Sequence, residues 1–103
     1  MLLCGAGSAA AQVLSLEFHD GRVRLTAENV PVSRILAEWA RIGGTQIVNG
    51  ERVPGPPATL ELVDVSEQEA LEVVLRSASG FLSAPRETPL AGASGYASIL
   101  ILP

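Results

Sequence analysis

Apolar and polar residues alternate from Val13 to Phe18. Leu14, Leu16 and Phe18 share one face and Ser15, Glu17 and His19 the other, the period of a half-buried strand. Asp20-Gly21 then predicts a tight hairpin turn, because glycine tolerates the positive φ that a primed turn demands. The returning strand runs from Arg22 to Ala27 with Arg22, Arg24 and Thr26 outward. Glu17 is then expected opposite Arg22 or Arg24, an exposed contact worth under ~1 kcal/mol. Pro31 suits the first turn of a helix, where its missing N–H had no partner to lose. From there Val32, Ile35, Leu36, Trp39 and Ile42 recur at steps of three and four and mark one apolar stripe, which Gly43-Gly44 ends. Thr45 to Val48 reads as a short strand leading into Asn49-Gly50.

The stretch from Glu51 to Pro57 holds three prolines and a glycine and predicts a loop. Ala58 to Val65 alternates again, with Leu60 and Leu62 inward and Thr59 and Glu61 outward. Ser66-Glu-Gln-Glu69 has the spacing of a capping box, in which the serine oxygen accepts from the Glu69 N–H and the Glu69 side chain reaches back. Replacing Ser66 by Ala should cost about 1 kcal/mol. The helix that follows is expected to bury Ala70, Leu71, Val74, Leu75 and Ala78 and to stop at Gly80. Phe81 to Ala84 reads as a strand, 86–95 as a flexible connection and candidate hairpin loop, and Tyr96 to Leu102 as a closing strand. The continuous apolar run of that last strand predicts burial on both sides, or a strand left for something else to cover.

These two stretches are one unit written twice. Laying Asn29-Val-Pro-Val-Ser-Arg-Ile-Leu36 over Asp64-Val-Ser-Glu-Gln-Glu-Ala-Leu71 gives an offset of 35 residues (64 − 29), and Val23, Leu25 and Ala27 fall on Ala58, Leu60 and Leu62. A strand and one amphipathic helix cannot bury both of their apolar faces alone, so two such units pack into one core. The predicted fold class is α+β: two βαβ-like halves, with two helices packed against small β-sheets.

At 103 residues the chain holds at most one globular domain. The formal charge of −4, without a basic run, argues against nucleic acid or an anionic membrane surface as the partner. Residues 1–11 carry no charge, and Ala9-Ala10-Ala11 before Gln12 fits a signal-peptidase site, so this stretch is expected to be the remnant of an export signal that begins upstream. Cys4 would leave with it. The expected organisation is therefore a signal remnant over 1–11, a domain over 12–84, and a loop and closing strand over 85–103 that lead towards a further region. Nothing reaches the roughly 18 apolar residues of a membrane span.

The chemistry-bearing residues are sparse, and no catalytic, cofactor-binding or metal-binding set is expected. His19 is the only imidazole and belongs to a hairpin turn; neither a nucleophile elbow nor a set of metal ligands accompanies it. Glu67, Glu69 and Glu72 crowd a helix start, where the dipole favours them, and capping accounts for them. Gly43-Gly44 precedes a strand and so does not form a phosphate-binding loop. Trp39, on the apolar stripe, is expected in the core, the alternative being an exposed docking anchor.

The residues Val23-x-Leu25, Asn29-Val30-Pro31, Ile35-Leu36, Trp39-Ala40, Gly44-x-x-Ile47-Val48 and Leu60-x-Leu62-x-Asp64-Val65-Ser66-x-x-x-Ala70-Leu71-x-x-Val74-Leu75 resemble the secretin and TonB short N-terminal domain (STN domain). The resemblance covers about 14–84 and is most specific in the second half. Trp39, Ile42, Thr45 and the proline-rich loop depart from the family pattern. What the resemblance implies is a small α+β module in the periplasm of a diderm bacterium, associated with the outer membrane through a larger assembly and working by protein contact in secretion, transport or signalling. Its partners would be a secretin, a TonB-dependent receptor, an inner-membrane regulator or a secretion component. The alternative is an independent periplasmic domain that binds a small ligand or cell-wall component, for which a groove lined by Trp39 would be the signature. Individual contact residues and the oligomeric state are left unassigned.

Overall fold

The computed structural model describes residues 13–53, 55–88 and 90–102, so the expected signal remnant and Cys4 lie outside the described residues. Val13–His19 (β1) and Arg22–Val30 (β2) form the expected antiparallel hairpin. Its turn places Asp20 and Gly21 at φ 51° and 79°, as a primed turn requires. β2 runs past its expected end at Ala27 because Glu28 still faces Val13 and Val30 faces Ala58. The helix Val32–Gly43 (α1) follows Pro31 and ends at Gly44, whose left-handed backbone (φ 65°) lets its N–H donate to the Ala40 carbonyl. Gln46–Val48 (β3) comes next.

The loop expected from Glu51 onwards opens instead on a 3-10 turn, Gly50–Arg52, entered through Asn49 at φ 69°. Ala58–Ser66 (β4) and Glu67–Val74 (α2) then meet at Ser66. α2 stops well before Gly80, contrary to expectation. Beyond Val74 the winding tightens, with Arg76 N–H donating to Val73 and Ala78 N–H to Leu75, and i→i−3 bonding is rarely sustained for long. Gly80–Pro85 (β5) and Tyr96–Leu102 (β6) follow.

The protein is mixed α+β, and its described residues form two α-helices and two three-stranded sheets ordered β1-β2-β4 and β3-β6-β5. Leu16, Phe18, Val23, Leu25, Ala27 and Val30 from the first sheet, Ile35, Leu36, Trp39, Ala70, Leu71, Val74 and Leu75 from the helices and adjoining turn, and Ile99 and Ile101 from the second sheet form one buried cluster. Phe18 meets Trp39 edge to face, with ring centroids 5.5 Å apart. β6 is the central strand of its sheet, parallel to β3 and antiparallel to β5. Its apolar run is therefore split, with Ile99 and Ile101 inward and Leu100 and Leu102 outward.

The β2–β4 register makes the duplication geometric. Adding the 35-residue offset (64 − 29) to the pair Leu25–Leu62 returns the pair Ala27–Leu60, and Val23–Val65 returns Val30–Ala58. Thr26–Glu61 maps onto itself, so an approximate two-fold axis passes through it, and the two register shifts exchange with each other. Asn29 and Asp64, also exchanged, share φ values of 55° and 56°. The offset slips by one at the next strand, where inward Ile47 corresponds to inward Phe81 (81 − 47 = 34), because α2 ends early.

Candidate functional site

Two polar anchors determine which surfaces are left open. Glu67 is the first residue of α2, yet its side chain points inward and the residue is 5% exposed. Its Oε2 accepts from Trp39 Nε1 at 2.9 Å and from Ser94 Oγ, and its Oε1 accepts from Gly95 N–H at 2.8 Å. Capping therefore does not account for Glu67: a buried carboxylate needs several donors, and these come from α1 and from the β5–β6 connection. Glu69 supplies the capping position, its N–H donating to Ser66 Oγ at 3.2 Å. Among the described residues no hydrogen bond returns from the Ser66 N–H to the Glu69 side chain, so only the serine half of the box is formed.

The second anchor is Arg86. Its Nη2 donates to the carbonyls of Gly43 and Gly44 at 3.0 and 3.1 Å, and its Nε to Ser94 O at 3.0 Å. A guanidinium thus satisfies orphan carbonyls at the C-terminus of α1, where the helix dipole favours a cation. Ser94 N–H donates to Gly43 O at 3.0 Å. The approach is so close that a Cβ on Gly43 would lie 2.8 Å from Ser94 Cβ and 3.1 Å from the Phe18 ring. The connection expected to be flexible is consequently clasped at both ends, and it holds β6 in register.

With β6 in place, the second sheet turns an uncharged face outward. β3, β5 and β6 contain no Asp, Glu, Lys, Arg or His. Val48, Leu100 and Leu82 lie side by side in the ladder and are 40%, 37% and 60% exposed, with Leu102 beside them at 36%. The outward face of the first sheet is the opposite in character, carrying Glu17, His19, Arg22, Arg24, Glu28 and Glu61. Glu17 faces Arg24 there, as expected, and the Arg22 Nη1 donates to Asp64 O at 2.8 Å. His19 is solvated at the turn, 3.3 Å from Asp20.

Shallow depressions of about 290 and 270 Å³ lie beside Arg22, Arg24 and Asp64, and beside Asn49, Arg52 and Leu102, near the lower bound of a ligand site. Trp39 lines neither and is fully buried. Among the described residues, no three His, Cys, Asp or Glu side chains gather as metal ligands would. Among the described residues no helix is long and apolar enough to cross a membrane.

No protein-family model, curated protein or solved structure matches this chain. Of the residues singled out in the sequence, the structure brings Trp39 and Glu67 together and leaves His19, Glu69 and Glu72 apart from them at the surface. Ser94 and Arg86 gave no signal beyond being polar residues in a glycine-containing connection.

Proposed function

We propose that this chain is a protein-interaction module of the secretin and TonB-dependent receptor short N-terminal type, working by contact in a bacterial envelope assembly. The observation that carries the reading is the duplicated strand–helix unit, whose two copies exchange about the Thr26–Glu61 pair and bury Leu36, Trp39, Leu71 and Val74 in one core. That architecture agrees with what the motifs at Asn29-Val-Pro and Asp64-Val-Ser imply. A filled core favours work at the surface, where sheet edges and polar helix faces are available to a partner's backbone and side chains. The alternative, a periplasmic domain binding a small ligand or cell-wall component, called for a groove lined by Trp39, and that side chain is covered.

Crosslinking in the periplasm followed by purification of the intact open reading frame tests the proposal. Recovery of a secretin, a receptor or an inner-membrane regulator is the expected result. Repeated recovery of none of them, under conditions that capture a known envelope complex, overturns it.

A further inference from the structure

Asn49 and Gly50 stand side by side for separate structural reasons. Asn49 enters the 3-10 turn at φ 69° and ψ 17°, a left-handed conformation that asparagine tolerates better than most residues with a side chain. Its Nδ2 donates to the Ile101 carbonyl at 3.1 Å and so fastens the end of β6 to the start of the turn. Gly50 is buried, and a Cβ there would lie 3.1 Å from Ile47 Cγ2 and 3.5 Å from Leu36 Cβ, so the packing calls for glycine. Together they form a chemically labile pair, because glycine leaves the backbone nitrogen after the asparagine unshielded. Asn29, the chain's other asparagine, is also left-handed, at φ 55°, but it precedes Val30, whose branched side chain crowds that nitrogen.

We infer that Asn49 is a deamidation site and that docked β6 keeps it closed. In the reaction the Gly50 nitrogen bonds to Asn49 Cγ while the Cγ–Nδ2 bond breaks. Nδ2 leaves as ammonia, taking with it the proton of the Gly50 N–H. Water then opens the cyclic imide at either carbonyl and leaves aspartate or isoaspartate at position 49. Water is the sole co-reactant.

The fold opposes ring closure. At ψ 17° the Gly50 nitrogen is nearly eclipsed with the Asn49 backbone nitrogen, turned away from the side chain it must attack. Arg52 N–H donates to Asn49 O at 3.1 Å and holds that peptide plane. The Ile101 carbonyl holds the amide itself, and it alone among these contacts comes from outside the turn. A three-residue turn has little stability of its own, so departure of the β6 end frees the site. Reaction therefore passes through the molecules in which this end of β6 is open. It is also one-way. An aspartate carboxylate would face the Ile101 carbonyl as acceptor against acceptor, and isoaspartate adds a backbone atom directly before buried Gly50. This inference rests on the Asn49–Ile101 contact and does not depend on the envelope reading.

Incubating the full chain at mildly alkaline pH beside a synthetic peptide of residues 42–52, the tryptic segment that holds Asn49, tests it. Mass spectrometry of that segment, with isoaspartate methyltransferase labelling, follows the product. Deamidation at Asn49 is expected in both, roughly tenfold or more slower in the folded chain, and outpacing any at Asn29 in unfolded chain. Ile101→Ala, which keeps the carbonyl but loosens β6 from the core, should accelerate it several-fold; Ile101→Val serves if circular dichroism shows the first variant unfolded. Equal rates in the folded chain and the peptide, or no acceleration in a folded variant whose Ile101 and Leu102 amides exchange faster, overturns the gating. An unmodified Asn49 in the free peptide overturns the site. Asn49→Asp mimics the product, and hydrogen exchange at Ile101 and Leu102 should rise several-fold while β1, β2 and β4 are unchanged. A uniform rise, or none, refutes the one-way coupling.

Discussion

Trp39 Nε1 donates to Glu67 Oε2 at 2.9 Å, tying the middle of α1 to the first residue of α2 inside the core. In the other copy of the repeated unit the position of Glu67 is held by Val32 (67 − 35), half-buried and apolar. The second copy thus has a carboxylate where the first has a hydrocarbon side chain, and that carboxylate gathers α1, α2 and the β5–β6 connection at one point.

Glu67→Gln keeps the shape and replaces one acceptor oxygen by a donor. Whichever way the amide turns, it faces at least one of the donors Trp39 Nε1, Ser94 Oγ or Gly95 N–H. A loss of about 2–3 kcal/mol is expected, since a buried donor is left facing a donor. Urea unfolding followed by the fluorescence of Trp39, the only tryptophan, measures it.

Arg86→Lys keeps the charge and loses the fork that reaches Gly43, Gly44 and Ser94 together. We expect about 1–2 kcal/mol of destabilisation. Amide hydrogen exchange should accelerate first in 86–95 and at the end of α1, because those are the segments the guanidinium joins. Equal acceleration across both sheets would show a general loss of stability in place of a local release.

Thr45 is 4% exposed and its Oγ1 has no hydrogen-bond partner. Thr45→Val removes the stranded hydroxyl at nearly constant volume and should stabilise by about 1 kcal/mol. The midpoint of urea unfolding should rise with an unchanged slope.

Glu38 accepts from Arg41 Nε and Nη2 at 2.7 and 2.8 Å, one turn along α1. These hydrogen bonds, which outweigh an opposing effect of desolvation and are helped by the positive charges of Arg41 and Arg34, hold the Glu38 carboxyl below its ordinary range. The folded value lies below the unfolded one. The pair's contribution is therefore complete above the ordinary glutamate range and is lost as pH falls through the lower folded value. Carboxyl-resolved NMR titration should return Glu38 to the ordinary range in Arg41→Ala, with little change in stability, since the pair is exposed.

The strands, both helix starts and the duplication were legible because they follow from periods of 2.0 and 3.6 and from turn residues acting locally. The Leu16 and Phe18 face, the Ile35-Leu36-Trp39 stripe and the Asp20-Gly21 turn all lie as the pattern requires. The end of α2 was not legible, because a change to i→i−3 bonding leaves no mark on apolar spacing. The role of Glu67 was hidden for a different reason. A glutamate at a helix start is ordinarily solvated, and only the fold reveals that Trp39 and Ser94, at separations of 28 and 27 residues, converge on it. The clasp by Arg86 is equally non-local, acting 43 residues away on Gly43.

β3 and β5 run in opposite directions with β6 lodged between them. A strand inserted there meets one parallel neighbour and one antiparallel neighbour whichever way it points, so the slot itself does not distinguish head from tail. Polarity is imposed by the tether: a ten-residue connection from β5, buttoned down by one carboxylate and one guanidinium, lets the last strand enter from only one end.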